Sequence, residues 1–343
     1  MSFMNKHLSH KLNAAVIGLG VGKHHAYHIQ SDNRCNLLWI CDFDKSKLDE
    51  AEKEFPKSNK SVDFNVIVND PDVDLVSIAS YDEYHKKQVI ASIENSKHVF
   101  VEKPMCLNHE EAVAIKNVLK IKPCVKLSSN LVLRTCPLFK NVRNEVITGN
   151  AGKVYHIEAD YFWGRPHKLL SGWRSEADYY SIILGAAIHM VDLVCWIKGQ
   201  KPYTIQAFGS RIIADGSKQR HNDFSVITMK FKDDSTAKVS AHGGCMHPHF
   251  HSLNVFGEKK SFLHSLTGSV WVDSNDQNCD FKKEASEYPA KENRKEILLS
   301  FIDSILNNSK EIVSQDDVFT AMSVCLSAEK SIQQKEIIEI DYI

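Results

Sequence analysis

The sequence predicts an α/β chain: a doubly wound parallel sheet first, then an α+β domain built on an antiparallel sheet. Three observations predict it. Over residues 12–129, short β-rich runs alternate with helical patterns, as in successive βαβ units. Several of those runs are apolar throughout, as expected of strands covered by helices on both faces. Beyond residue 150 the pattern changes to period two with one polar face, the mark of an antiparallel sheet.

In the first half, Ala14 to Ile17 reads as a strand, with a helix following to Gln30. Asn36 to Cys41 is the second strand and Lys45 to Phe55 the next helix. Leu75 to Ala79, apolar and bounded by Pro71 and Asp74, is another strand, and Glu83 to Asn95 is helical. His98 to Val101 is a strand ending in Glu102-Lys103-Pro104. The helix after it starts at Asn108, with Glu111 placed as its capping-box partner. Pro123 to Leu127 closes the series. In the second half, Tyr155, Ile157, Ala159 and Tyr161 alternate with polar residues, as do Ser225 to Phe231 and Ala237 to Ala241. A helical block at 179–197 interrupts these strands, and helices at 292–307 and 316–334 end the chain. Lys282 to Lys295, rich in both charge signs, reads as a solvated loop.

Composition narrows the function. A chain of 343 residues has the length of about two domains. Hydrophobic residues at 43% and charged residues at 25% are ordinary globular usage. Lys and Arg number 42 against 43 Asp and Glu, so no basic excess points to nucleic acid or an anionic membrane. The expected ligand is a small molecule. Nine cysteines without a Cys-x-x-Cys pair point to reduced thiols in a cytoplasmic protein. Met1 to Asn13 holds Lys6, His7, His10 and Lys11 and no apolar core, so no signal peptide is expected. Ile182 to Ile197 is broken by His189 and Asp192 and reads as a buried helix, not a membrane span.

Three motifs can carry chemistry. Gly18, Gly20 and Gly22, with Leu19 and Val21 between them, follow the first strand and precede a helix. Glycines there let backbone N–H groups approach a pyrophosphate at the helix N-terminus. The third glycine falls one position early for G-x-G-x-x-G, where Lys23 stands. Asp42, 24 residues after Gly18, ends the second strand. A carboxylate there accepts hydrogen bonds from ribose hydroxyls and repels a 2′-phosphate, so NAD is expected, with NADP as the alternative. The second motif, Glu102-Lys103-Pro104, lies at a strand's carboxyl end, where open parallel sheets bind ligands. The third runs from Gly185 to Asp192. His189 and Asp192 share a helix face, and an imidazole oriented by a carboxylate suits acid–base work. Around Cys245 stand His242, His247, His249 and His251, with no carboxylate at ligand spacing, so no metal site is expected.

These residues together resemble the Gfo/Idh/MocA oxidoreductases, named for glucose–fructose oxidoreductase, inositol dehydrogenase and a rhizopine catabolism protein. The resemblance covers residues 12–335 and rests on Gly18 to Gly22 with His25 and Ala26, Ile78-Ala79-Ser80 with His85, Glu102-Lys103-Pro104, and His189 with Asp192. It implies an N-terminal Rossmann domain, residues 12–129. A C-terminal α+β domain with a large, open, mostly antiparallel sheet would span 130–335. It implies that Lys103 is the active-site lysine and His189 moves the hydroxyl proton. Asp42 would bind ribose. Ser80, His85 and Glu102 would lie on the cofactor side, and Arg134, Trp173 and Asp192 on the substrate side. The implied reaction is hydride transfer between nicotinamide and a sugar, cyclitol or related hydroxyl, in a homodimer or homotetramer. One departure stands out. Many members carry an aspartate four residues before the histidine, where this chain has Gly185. A nucleotide- or sugar-binding regulator without turnover therefore stands as the alternative.

Overall fold

The computed structural model describes residues 11–276, 278 and 280–343. The stretch Met1 to His10 and Cys279 lie outside them. Two compact units are formed. Among the described residues, one comprises 11–130 together with Lys295–Val318, the other Leu131–Arg294 together with Phe319–Ile343.

The first unit is a parallel six-stranded sheet. Its strands are β1 (Leu12–Ile17), β2 (Cys35–Cys41), β3 (Asn59–Ser61), β4 (Leu75–Ile78), β5 (His98–Val101) and β6 (Leu127–Ser129). Their spatial order is β3-β2-β1-β4-β5-β6. Helices α1 (Gly22–Ser31), α2 (Lys45–Glu54), α3 (Phe64–Val68), α4 (Asp82–Glu94) and α5 (His109–Ile121) make the crossovers. All four residues of β4 and the last three of β5 are buried, as apolar runs covered on both faces should be. The order reverses at β1, which pairs with β2 on one side and β4 on the other. That switch point, outside the strands' carboxyl ends, is where such sheets take their ligands. Helix α5 starts as expected. Asn108 Oδ1 accepts the Glu111 N–H at 2.9 Å, and Glu111 Oε2 reaches back to the Leu107 N–H at 2.9 Å.

The returning segment completes this unit. Its helix, Lys295–Asn307, sets Phe301 against Phe100 of β5 with ring centroids 6.0 Å apart. Lys126 Nζ donates to Ser304 O at 2.6 Å and Ser128 Oγ to Val313 O at 2.8 Å. Arg34 pairs with Asp303 at 2.9 Å.

In the second unit a 3₁₀ turn (Val132–Thr135) leads into α6 (Pro137–Ile147), then β7 (Val154–Phe162) and the short helices α7 (Pro166–Leu170) and α8 (Trp173–Glu176). The helix expected at 179–197 begins later and differently. Residues 179–181 lie in no regular element, Ile183–Ala187 form a π turn, and Ile188–Lys198 is α-helical, α9. Strands β8 (Thr204–Ser210), β9 (Phe224–Lys230), β10 (Thr236–His242), β11 (Phe250–Gly257), β12 (Ser261–Ser265), β13 (Gly268–Val272), β14 (Lys282–Lys283) and β15 (Ile338–Glu339) complete a nine-stranded sheet with β7. Only β7 and β10 run parallel; the other pairs are antiparallel. The stretch read as a solvated loop contributes β14, paired to β13 through Trp271 and Lys282. One sheet face is apolar, with Ile157, Ala159, Tyr161, Ala237, Val239 and Ala241 all buried. Among the described residues no helix is long and apolar enough to cross a membrane, and the eight described cysteines are free thiols.

Candidate active site

At the carboxyl edge of the parallel sheet each glycine has a different task. Gly18 has φ +87°, and a Cβ there would stand 2.4 Å from Ala79 O, so β1 and β4 can close only over a hydrogen. A Cβ on Gly22 would meet Ala79 Cβ and Val16 Cγ1 at 3.0 Å. Gly22 thus does the helix–strand packing of a third fingerprint glycine despite its early position. Over Gly20 nothing lies within 4 Å. Val21, 55% exposed, precedes α1 without a side-chain cap, and the first turn of α1 holds no acidic residue. Gly20 leaves open space at the start of α1, and the helix dipole favours an anion there. The chain's own residues therefore fit the pyrophosphate of a dinucleotide.

Asp42 is buried at the end of β2. Its Oδ2 accepts the Leu19 N–H at 2.8 Å and its Oδ1 the Asp44 N–H at 2.9 Å, and Lys47 Nζ stands 3.9 Å from Oδ2. The carboxylate thus ties the glycine turn to β2. Each oxygen keeps a second lone pair for a ribose hydroxyl.

The Glu102 side chain turns inward. Its Oε1 accepts from Asn130 Nδ2 at 2.6 Å and lies 3.2 Å from His25 Nε2, while His25 Nδ1 meets Ser77 Oγ at 2.9 Å. Burial pushes the carboxyl up. The His25 hydrogen bond and charge, Lys103 and Asn130 outweigh it and hold it below the ordinary value. The sequence reading places Glu102 on the cofactor side; the geometry makes it the hub of a chain from Ser77 to Asn130, and His25 is the partner that reading did not assign. Ser80 Oγ donates to Gln88 Oε1 at 2.7 Å. His85 is fully buried, its Nδ1 2.6 Å from Pro104 O and its Nε2 3.1 Å from Ser80 O. It bridges the β4 and β5 ends and so fixes the backbone beside Lys103.

In the second unit, His189 is buried one residue into α9, directly after the π turn. Single π turns recur at functional positions of helices. The Tyr161 ring of β7 stacks on its imidazole, with centroids 6.0 Å apart and planes 12° from parallel. Tyr161 is flanked in turn by His249 and His251, edge-on at 5.4 and 4.8 Å. His251 Nδ1 meets Tyr288 Oη at 2.8 Å. Burial lowers the His249 and His264 pKa to about 4 and takes His251 well below its ordinary value. His249 and His251 thus form a neutral aromatic wall against Tyr161.

Arg134 and Asp192, both expected on the substrate side, are paired with each other. Arg134 Nε donates to Asp192 Oδ2 at 3.0 Å and Nη2 to Oδ1 at 2.6 Å, with both side chains buried. This bidentate pair ties the 3₁₀ turn Val132–Thr135 to α9, one turn beyond His189. Trp173 begins α8; the Arg174 guanidinium lies 4.3 Å over its ring and 5.3 Å over Trp163.

Comparison with known proteins agrees with this geometry. Residues 12–130 match the family described as "oxidoreductase family, NAD-binding Rossmann fold", and residues 139–263 match the GFO/IDH/MocA C-terminal domain. Myo-inositol 2-dehydrogenase of Thermotoga maritima is 25% identical across 97% of this chain and 99% of its own. The scyllo-inositol 2-dehydrogenase (NAD(+)) of Bacillus subtilis is 24% identical across 97% and 98%. The crystal structure of Lactobacillus casei scyllo-inositol dehydrogenase with NAD(H) and scyllo-inositol has the same fold. Its TM-score is 0.79 at 20% identity, covering 96% of this chain and 99% of that one. The chain belongs to the Gfo/Idh/MocA oxidoreductases and carries their NAD-binding Rossmann domain.

Proposed function

We propose that the protein is an NAD-dependent dehydrogenase of inositols or related sugar hydroxyls. The inositol dehydrogenases that match it along nearly its full length support the substrate class. The observation that carries an enzymatic reading is His189, buried at the end of a π turn with its ring plane held by Tyr161. Bound NAD would supply the hydride acceptor, with Gly18, Gly20, Val21 and Gly22 at its pyrophosphate and Asp42 at its adenosine ribose. His189 takes the hydroxyl proton as the carbinol carbon is oxidised and returns it in the reverse direction. Lys103 donates a hydrogen bond to the same oxygen and favours the charge developing on it. Glu102 and His85 hold the backbone that presents Lys103. The Arg134–Asp192 pair holds the helix that presents His189.

The eight free thiols among the described residues support a cytoplasmic location. Tyr155 and Phe208, exposed on the large sheet, support a homodimer or homotetramer.

Calorimetric titration with NADH and NADPH, followed by turnover assays with NAD and myo-inositol, scyllo-inositol and simple sugars, tests this reading. NADH is expected to bind more tightly, because Asp42 opposes a 2′-phosphate. A protein that binds NADH yet oxidises none of these substrates would favour the regulator.

A further inference from the structure

His189 and Gly185 are four residues apart where the π turn Ile183–Ala187 passes into α9. A π turn closes i→i+5 bonds, so positions four apart come nearly into line. Helical side chains lean back over the preceding turn, which directs the His189 imidazole towards residue 185. The space above that residue is filled by Tyr180. A Cβ on Gly185 would stand 2.5 Å from Tyr180 Oη and 2.9 Å from its Cζ. Only glycine admits the phenol in that place. The ring is 3% exposed and is fixed edge-on against Trp173 at 6.1 Å, with the Arg174 guanidinium 5.8 Å over it. The next residue, Ser181, donates to the Glu329 carboxyl and accepts the Leu184 N–H at 3.0 Å, which anchors the segment to the turn it caps.

We propose that Tyr180 is a further catalytic residue: its hydroxyl, seated above Gly185, donates a hydrogen bond to the substrate oxygen whose proton His189 moves. The inference rests on the reading of His189 as that proton carrier. In the oxidative direction the O–H proton passes to the His189 imidazole and the C–H electron pair leaves as hydride to NAD. Tyr180 keeps its own proton and stabilises the charge developing on oxygen. A phenol can donate such a bond where an ionised carboxylate can only accept. Gly185 is then the opening through which another side chain enters.

Tyr180→Phe tests this, because it keeps the ring and removes only the hydroxyl. With NAD and whichever of myo-inositol or scyllo-inositol the wild type oxidises, kcat should fall about 10- to 100-fold while NADH affinity stays unchanged. A second measurement follows the His189 Cε1–H resonance with pH, assigned through His189→Gln. Tyr161 against His189, His249 and His251 against Tyr161, Arg174 over Tyr180 and Glu329 at Ser181 are common to both proteins, so a difference reports the hydroxyl alone. Its midpoint should move by about half a unit in Tyr180→Phe. Undiminished kcat in the variant, where the wild type turns over, overturns the proposal. If the wild type oxidises neither polyol, the dehydrogenase reading fails separately and the resonance decides: a shifted midpoint supports Tyr180 at His189, and superimposed titrations overturn it. Gly185→Ala, which drives the phenol out, should lower kcat at least as far as Tyr180→Phe; a folded Gly185→Ala protein with full kcat also overturns the proposal.

Discussion

The two candidate regions are built by different means. At the edge of the parallel sheet the backbone does the placing: strands end, glycines turn, and Lys103 and Asp42 stand where chain direction puts them. At His189 side chains do the placing: Tyr161 holds the imidazole plane, Tyr180 fills the space over Gly185, and the Arg134–Asp192 pair fixes the helix. The first kind of site should tolerate side-chain changes and fail on backbone changes. The second should do the reverse.

The largest effect tests whether both regions serve one reaction. Lys103→Ala and His189→Ala should each lower kcat by about 10²–10⁴-fold, with NADH affinity measured by calorimetry little changed. A modest loss from either would break the assignment of that region. Next comes the ion pair. Asp192→Ala leaves Arg134 buried without its carboxylate partner and should destabilise the protein by about 3–5 kcal/mol in denaturant unfolding. Asp192→Asn, which still offers Arg134 an acceptor, should lose less.

The glycines give the sharpest internal contrast. Gly18→Ala forces a Cβ to 2.4 Å from Ala79 O at φ +87°, and should cost at least ~1–3 kcal/mol of stability together with NADH binding. Gly20→Ala enters open space and should leave Tm unchanged while weakening NADH alone. Equal stability losses would remove the distinction between closing the turn and admitting the ligand.

The smallest effect is on pH. His249 and His264 titrate near pH 4 in the fold against 6.5 for an ordinary imidazole, and burial takes His251 well below that ordinary value too. The unfolded chain therefore binds protons that the folded chain refuses. Stability from these groups is complete above pH 6.5 and is lost as pH falls towards 4. Thermal unfolding at stepped pH should show Tm falling through that window, less steeply in His264→Phe.

The same contrast decides what could be read from the sequence. The glycine turn, the acid at the end of β2 and the lysine after β5 follow from rules about neighbouring residues, and so does the alternation of β7, β9 and β10. Gly22 showed its packing role only in three dimensions, because its partner Ala79 lies on another strand. Tyr161 and Tyr180 carry no local signal. One reads as an ordinary inward strand residue and the other as part of a helix that in fact starts later. Arg134 and Asp192 are 58 residues apart, and nothing at that separation marks them as partners. Gly185 read as a missing carboxylate, whereas its space is taken by a phenol from five residues upstream. The short β3, α3 and β14 escaped because runs of two to five residues give no period to detect.

The helix that returns to the first sheet bears on how the protein is made. When the ribosome has finished Asn130, Phe100 has no Phe301 to pack against, and Lys126 and Ser128 lack the carbonyls that later receive them. The nascent sheet waits, one face incomplete, while the whole of the second unit emerges, and closes only once Val313 has been synthesised. A gene fragment cut at Asn130 would freeze that intermediate permanently and should yield insoluble protein. Joining residues 295–318 to it through a flexible linker should recover a soluble nucleotide-binding module.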